Sequence, residues 1–440
     1  MNFAIESLFL CATLGFLCVT LCNSLIHRKG YTTEGHKGGT KILRVFLSLI
    51  FLLLSNFSQA QEEYKEPKVA FKGYLKNMSS FNYFGDSLWY ENLTHNRLNF
   101  AYYPTDNLSV YVEIRNRLFV GDFVKNLPGY EQLGIPSYGD IVNNNNDYLT
   151  LSTNLIDNGS VILNVAVDRA FVDWVKGDWE IKLGRQRINW GVNLAWNPND
   201  WFNAYSFFDF DYEERPGSDA IRITRYTGAA SSIEVAVKAA KDIDHFVAAT
   251  MWKVNKGNYD IQFLGGLAQG DLSLGTGWAG NLGGASLKGE LTYFIPAIDT
   301  EINKDYNSLF LGAISLDYSF ANSLYLNGSV MYNTNGDYDA NLGTSIIGQN
   351  LGSFTVRDLS PYPWSAFVQS TYQFSPLLFG GMAVMVYPGT NGLFLNPYIT
   401  VSIIQNLDAD VVGQLFYANN ASGSYDAISK AAFVRLKWSF

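Results

Sequence analysis

Leu108, Val110, Val112 and Ile114 fall on one face of an extended chain, and Tyr111, Glu113, Arg115 and Arg117 fall on the other. The same period of two recurs in 231–240, where Ile233, Val235 and Val237 oppose Glu234 and Lys238. It recurs again in 245–254, where Phe246, Ala248, Thr250 and Trp252 oppose His245 and Lys253. Alternation over about ten residues, broken by turn residues, predicts strands with one apolar and one polar face. Eighteen such stretches can be delimited: 68–83, 93–103, 108–121, 160–175, 179–190, 219–227, 232–241, 245–255, 259–269, 271–279, 283–295, 307–320, 324–335, 363–375, 377–388, 393–405, 409–418 and 426–440. The number falls to 16 if the Gly-rich stretch 270–284 is loop.

Short turns at 104–107, 176–178, 256–258 and 320–323 contrast with long connections at 122–159, 191–218 and 336–362. Short periplasmic turns at one end and long extracellular loops at the other predict an all-β fold, a transmembrane antiparallel β-barrel. Such a barrel satisfies every backbone N–H and C=O within itself, as hydrocarbon requires. An even strand number puts both termini on the periplasmic side. Roughly 18 strands enclose a width that holds water, whereas ~8 would be filled by side chains. The soluble alternatives, a β-helix or a large sandwich, fit poorly, because no short repeat is present and aromatic residues are abundant.

Composition sharpens this picture. Charged residues are 16% of the chain and aromatic residues 15%, and no stretch after residue 60 approaches a membrane helix in apolar length. Cys11, Cys18 and Cys22 are the only cysteines, and only His95 and His245 follow residue 60. Disulfides, a metal site and a metal cofactor are therefore not expected in the barrel. Near the N-terminus, Lys41 and Arg44 precede an apolar run, Val45–Leu54, and Ser58-Gln59-Ala60 form a small-x-small cleavage site. Residues 1–60 thus read as an N-terminal extension plus signal peptide, and 61–440 as the barrel. The first apolar run, 4–22, is either a membrane anchor or part of a start placed too early. After residue 60 the chain carries 26 basic and 38 acidic residues, a net charge of −12, which argues against a nucleic-acid partner.

The final stretch, AAFVRLKWSF, puts Ala432, Val434, Leu436, Trp438 and Phe440 on one face and Phe433, Arg435, Lys437 and Ser439 on the other. The apolar face suits outer-membrane lipid and the polar face a lumen. A terminal Phe440 after such alternation resembles the signal by which the barrel-assembly machinery recognises its clients. The remaining inner faces carry Glu113, Arg115, Arg117, Arg169, Asp173, Glu180, Lys182, Arg222, Glu234, Lys238, Lys288 and Glu290. Desolvating so many ions would cost several kcal/mol each, so the sequence predicts a polar interior, filled with water or with ion pairs.

The densest chemistry lies at 160–220. Trp174 and Trp179 flank a turn, at the place of a periplasmic aromatic belt. Arg185 and Arg187 in LGRQRINW share parity with Leu183, so a regular strand would aim them at lipid, at a cost of ~2–4 kcal/mol near the midplane. Either a bulge near Gly184 turns them inward or the strand has already risen above the lipid. The following loop, 191–218, carries Asp209, Asp211, Glu213 and Glu214. If it folds inward, these acids oppose Arg115, Arg117, Arg169, Arg185, Arg187 and Arg222 on the wall, and a transverse field filters solutes by size and charge. If it stays outside, the charges form structural salt bridges. Glu180 and Lys182 complete the candidate pore-lining set.

The motifs LGRQRINWG, NPND and RPGSDAIRI, within 183–223, resemble the porin superfamily and are most similar to outer-membrane channels of the alginate-export type and related uncharacterised barrels. The resemblance implies 16 or 18 strands, the outer membrane of a Gram-negative bacterium, an arginine-lined pore and, as in many porins, a homotrimer. The acidic charge departs from a polyuronate channel. No G-x-S-x-G stretch is present, Asp244 and His245 would point to opposite faces of a strand, and DFDYEE lacks the spacing of an EF-hand, so no catalytic residue is expected. The function predicted is passive diffusion of small polar or charged solutes. The alternative is a barrel that serves a protein complex and conducts little.

Overall fold

The computed structural model describes residues 67–84, 87–127, 136–143, 147–209, 211, 214–215, 217–304, 306–340, 354–419 and 423–440. The extension, signal peptide and cleavage site expected in 1–60 lie outside them, as does Glu213.

The strands are β1 (Val69–Phe84), β2 (Ser87–Thr105), β3 (Leu108–Gly121), β4 (Ser152–Asp157), β5 (Val161–Lys176), β6 (Trp179–Gln186), β7 (Ser218–Gly228), β8 (Ser231–Lys238) and β9 (Val247–Lys256). They continue as β10 (Tyr259–Ala268), β11 (Asp271–Leu282), β12 (Ala285–Pro296), β13 (Leu309–Ser319), β14 (Leu324–Asn333), β15 (Trp364–Ser375), β16 (Leu378–Val386), β17 (Leu393–Ile404), β18 (Leu407–Asn419) and β19 (Tyr425–Ser439). All except β4 pair antiparallel in chain order, and β1 pairs with β19, so 18 strands close a barrel. The seam runs from Tyr74 opposite Ser439 to Tyr83 opposite Lys430. Beyond it, Gly73 and Phe440 exchange both backbone hydrogen bonds at 2.9 Å.

The Gly-rich stretch that made 16 strands an option is strand β11. It alternates at its start, with Asp271 and Ser273 buried and Leu272 and Leu274 exposed, and Gly275 and Gly277 then hold inner positions that larger neighbours fill. A Cβ on Gly275 would lie 2.8 Å from Asn199 Oδ1 and 3.0 Å from the Trp201 ring. At the short-turn end, Gly257 and Asn258 both have positive φ, as a two-residue hairpin turn between twisted strands requires.

Two differences from the sequence reading occur in the long connections. The connection read as 122–159 contains two one-turn helices, α1 (Asp122–Asn126) and α2 (Tyr138–Val142), and the short strand β4. β6 pairs with β5 only at 170–176, and β4 takes the same edge of β5 at 162–166. β6 ends at Gln186 rather than at 190. The backbone N–H of Ile188 is diverted from the ladder to Asn203 Oδ1 at 2.9 Å.

Outward positions are apolar around most of the wall, with Leu183, Ile233, Trp252, Leu274, Ile314, Val368 and Leu436 exposed. The interior is polar only in part. Along β12–β18 the inner faces present Phe294, Leu309, Leu311, Met331, Phe367, Met385, Phe394 and Phe416, all buried. They form one core with Trp190, Trp196, Trp201, Phe202, Val356, Leu359 and Tyr362 from two long connections. Apolar inner positions here are covered by loop side chains rather than by water, which is why they carry little cost. The charged inner positions concentrate on the other side, along β1–β7 and β18–β19.

Candidate solute path and inward loop

Gly184 has φ +120°, a conformation L side chains rarely adopt, and a Cβ there would lie 2.2 Å from the Ala170 carbonyl oxygen. The register of β5 with β6 is unbroken across it. The extra residue lies on the neighbouring strand: Glu113 pairs with Arg169 and Ile114 with Val167, so Asp168 is bulged out of the ladder. Together these features break the alternation. Leu183 is exposed to the outside, while Arg185 turns inward. Arg185 donates to both carboxylate oxygens of Asp219 at 2.8 Å and to the Leu149 carbonyl at 2.6 Å. Arg187 lies beyond the end of β6, inside the loop, and is not a wall residue.

The loop, 187–217, folds into the barrel and follows the inner wall. Trp190 Nε1 donates to Glu234 of β8 at 2.6 Å, and Gln262 of β10 donates to the Trp190 carbonyl at 2.6 Å. Glu290 of β12 then accepts three backbone N–H groups, from Val192 (2.6 Å), Asn193 (2.9 Å) and Asn199 (2.9 Å). Asn193 is also held by Ser315 of β13 at 2.7 Å, and Asn199 by Thr292 at 2.7 Å. Trp196 and Phe207 pack on Phe367 of β15, and Phe208 on Phe394 and Phe416 of β17 and β18. Asp211 reaches Lys76 of β1 at 2.8 Å and Arg435 of β19 at 3.2 Å. Glu214 lies 3.9 Å from Arg97 of β2, and Arg169 of β5 donates to the carbonyls of Glu214 and Arg215 at 2.7 and 2.8 Å. One segment thus touches the inner wall from β8 round to β5.

This geometry separates the residues singled out in the sequence. Arg115, bonded to Asp168 at 3.1 Å, lies at mid-barrel with Arg169, Asp211 and Glu214. Arg117 donates to the Val142 carbonyl at 2.9 Å and Asn164 at 3.1 Å, under α2. Glu180, Lys182 and Arg222 form a separate cluster near the short-turn end, with Lys182 and Arg222 at 2.6 and 2.9 Å from Glu180. Asp209 faces the cavity left open. Asp211 and Glu214 do not oppose the wall cations across open space: they lie in direct contact with Lys76, Arg435 and Arg97. A charged loop that touches the wall gains more by pairing than by facing its counter-charge through water.

Lys76, Arg97 and Asp168 were not singled out from the sequence. Lys76 and Arg97 occupy inner positions in YLKNM and THNRLNF, so strand parity marks them as lumenal. Asp168 shares parity with the buried Asn164 and Ala166, whereas Arg169 and Asp173 have the opposite parity, and the bulge that brings both sets inward has no signal in the sequence. Arg97 bonds to Glu113 and, at 2.5 Å, to Asp168. Above this network an open cavity of about 640 Å³ remains, bounded by Arg115, Arg117, Asp168 and Lys238 on the wall and by Tyr205 and Asp209 on the loop. Within the loop, burial pushes the Asp200 carboxyl up to about 8, against the opposing pull of Arg187.

No family model matches the sequence, and none of the curated proteins does. Among solved structures the chain is similar to OccK11 (OpdR) of Pseudomonas aeruginosa, with a TM-score of 0.53 and 11% identity over 84% of this chain and 96% of that one. It is similar to OccAB2 of Acinetobacter baumannii (TM-score 0.53, 8% identity, 84% and 98% covered) and to OccAB1 of the same organism (0.52, 12%, 87% and 99%). These neighbours are outer-membrane porins. At such identities the likeness is one of fold, and it does not single out the alginate-export type.

Proposed function

We propose that this chain is a porin-like channel of the Gram-negative outer membrane, through which small polar or charged solutes diffuse passively. The observation that carries the reading is the inward loop: a segment lines the inside of a closed 18-strand barrel and leaves an open cavity of about 640 Å³ beside it, which supports a narrowed but unsealed path. The fold shared with solved outer-membrane porins supports both the location and the class of activity. In this reading Arg115, Arg117, Asp168 and Asp209 bound the path a solute takes, and the paired charges Lys76–Asp211–Arg435 and Arg97–Glu214 hold the loop against the wall. Filtering is then steric and electrostatic, with no chemical step. Phe440 at the seam is the residue through which assembly would proceed.

Planar-bilayer recording of the purified protein tests this reading. Ohmic single-channel steps are expected, and Arg115→Ala with Arg117→Ala should shift the reversal potential toward cations. A bilayer with no steps would overturn the channel and favour the barrel as a partner in a protein complex. Conductance with an unmoved reversal potential would remove the two arginines from the path.

A further inference from the structure

The inner faces of β1, β2 and β3 are layered toward the long-loop end. Ser80, Glu91 and Gly121 pair across the three strands. The next inward set is Met78, Leu93 and Phe119, and the one below it is Lys76, His95 and Arg117. The middle layer is apolar and buried, so it stands between Glu91 and the cations beneath. Glu91 itself is only 7% exposed. Its Oε1 accepts from the Tyr138 hydroxyl of α2 at 2.9 Å, and its Oε2 has no hydrogen-bond partner among the described residues. No ion pair reaches it among them either. Asp147, Asp168 and Asp211, which bound the same cavity, are each paired, with Lys238, Arg115 and Lys76 at 3.2, 3.1 and 2.8 Å. A carboxylate buried without a counter-charge is costly, and a bound cation offsets that cost.

The surroundings of Glu91 restrict which cation fits. Glu91 lines the open cavity together with Phe119, Phe123 and Tyr138. The Tyr138 ring stands edge-on to Phe119 with centroids 5.6 Å apart and stacks with Phe123 of α1 at 5.8 Å. The register place across from Glu91 belongs to Gly121, where a Cβ would lie 2.6 Å from the Glu91 Cα, so no side chain fills it. A hard metal ion takes six or so oxygen ligands, and here a single carboxylate oxygen is unpartnered. A guanidinium binds a carboxylate best through both oxygens, and Tyr138 already holds one. An ammonium needs one acceptor and is attracted by aromatic faces.

We infer that Glu91 anchors a binding site for organic ammonium ions. Oε2 accepts from the ammonium group, and the apolar body rests on the Met78–Leu93–Phe119 layer and on the rings of Phe123 and Tyr138. By register the site lies nearer the long-loop end than Arg117 and Arg115, so an entering solute meets it before the arginines. The acidic excess of the chain favours cations at that mouth. The inference rests on the open cavity of the channel reading, though not on conduction itself.

Isothermal titration calorimetry of the folded protein in detergent tests it, with phenethylammonium as probe and 2-phenylethanol as the same body without charge. Phenethylammonium should bind, and 2-phenylethanol should bind at least about tenfold more weakly. Glu91→Gln keeps the shape and an acceptor for Tyr138, and Glu91→Asp keeps the charge but draws it back by one methylene. Each should weaken phenethylammonium binding by about tenfold while retaining the heat-modifiable migration of a folded barrel. Asp260→Asn, which removes a charge at the short-turn end, should leave binding unchanged. No binding to the unsubstituted protein, equal binding of the alcohol, an affinity unmoved by the Glu91 substitutions, or an equal loss in Asp260→Asn would each overturn the inference. A barrel that binds the amine but gives no conductance steps would remove the channel reading and leave this site standing. A conducting barrel that does not bind it would do the reverse.

Discussion

Asp200 shows how the inward loop constrains one side chain. Burial raises its carboxyl to about 8, whereas in the unfolded chain it ionises near the ordinary carboxylate value of about 3.9. The folded state therefore binds more protons than the unfolded state between these values, so stability falls as pH rises through that window and levels off above it. Asp200→Asn should remove this slope and raise stability at pH 7 and above. Denaturant unfolding of wild type and variant in detergent at a series of pH values measures it, and parallel curves would show that Asp200 is not proton-linked to folding. Arg185 makes a related point. Its charge alone suggested a wall residue, and Gly184 marked where the strand could leave regular parity, but the extra residue is on the neighbouring strand, at Asp168, and no residue type there marks it.

The loop 187–217 is held as an element mainly by Glu290. Removing its carboxylate leaves three buried backbone N–H groups of the loop unpaired, at roughly 1–3 kcal/mol each. Glu290→Ala should therefore release the loop while leaving the wall closed. Larger single-channel conductance and faster proteolysis within 191–209 are expected, and unchanged values of both would mean that the remaining anchors suffice. The strands were legible in the sequence because a period of two is imposed by lipid on one side and is repeated many times, so Glu234, Lys238 and Arg435 could be assigned inward from parity alone. The loop's path was not legible. Glu290 reads as one more inner acid, and only the approach of Val192, Asn193 and Asn199 makes it an anchor. The apolar inner residues Leu309, Leu311 and Met331 were hidden for a similar reason: parity tells which way a residue points, and the partner waiting there comes from a distant segment.

At the scale of the molecule, the barrel depends on its seam. Gly73 approaches Arg97 and Phe440 so closely that a Cβ would lie 2.3 Å from the Arg97 carbonyl oxygen and 2.9 Å from the Phe440 ring. Gly73→Val should block closure, with loss of the folded, heat-modifiable species on gel electrophoresis. A normally migrating variant would show that the seam can adjust. The pairing of Gly73 with Phe440 also fixes an order of events. Seventeen of the ring's neighbouring pairs join strands consecutive around it, while the eighteenth joins its first strand to its last. Until both are present the sheet has two open edges, each a row of unpaired backbone groups and a template for sticking to another chain. The loop-closure entropy of the whole sheet is lost in that one late step. Nothing short of the complete strand set can therefore be a stable intermediate in lipid, and an incomplete barrel has to be shielded by something else until its ends meet.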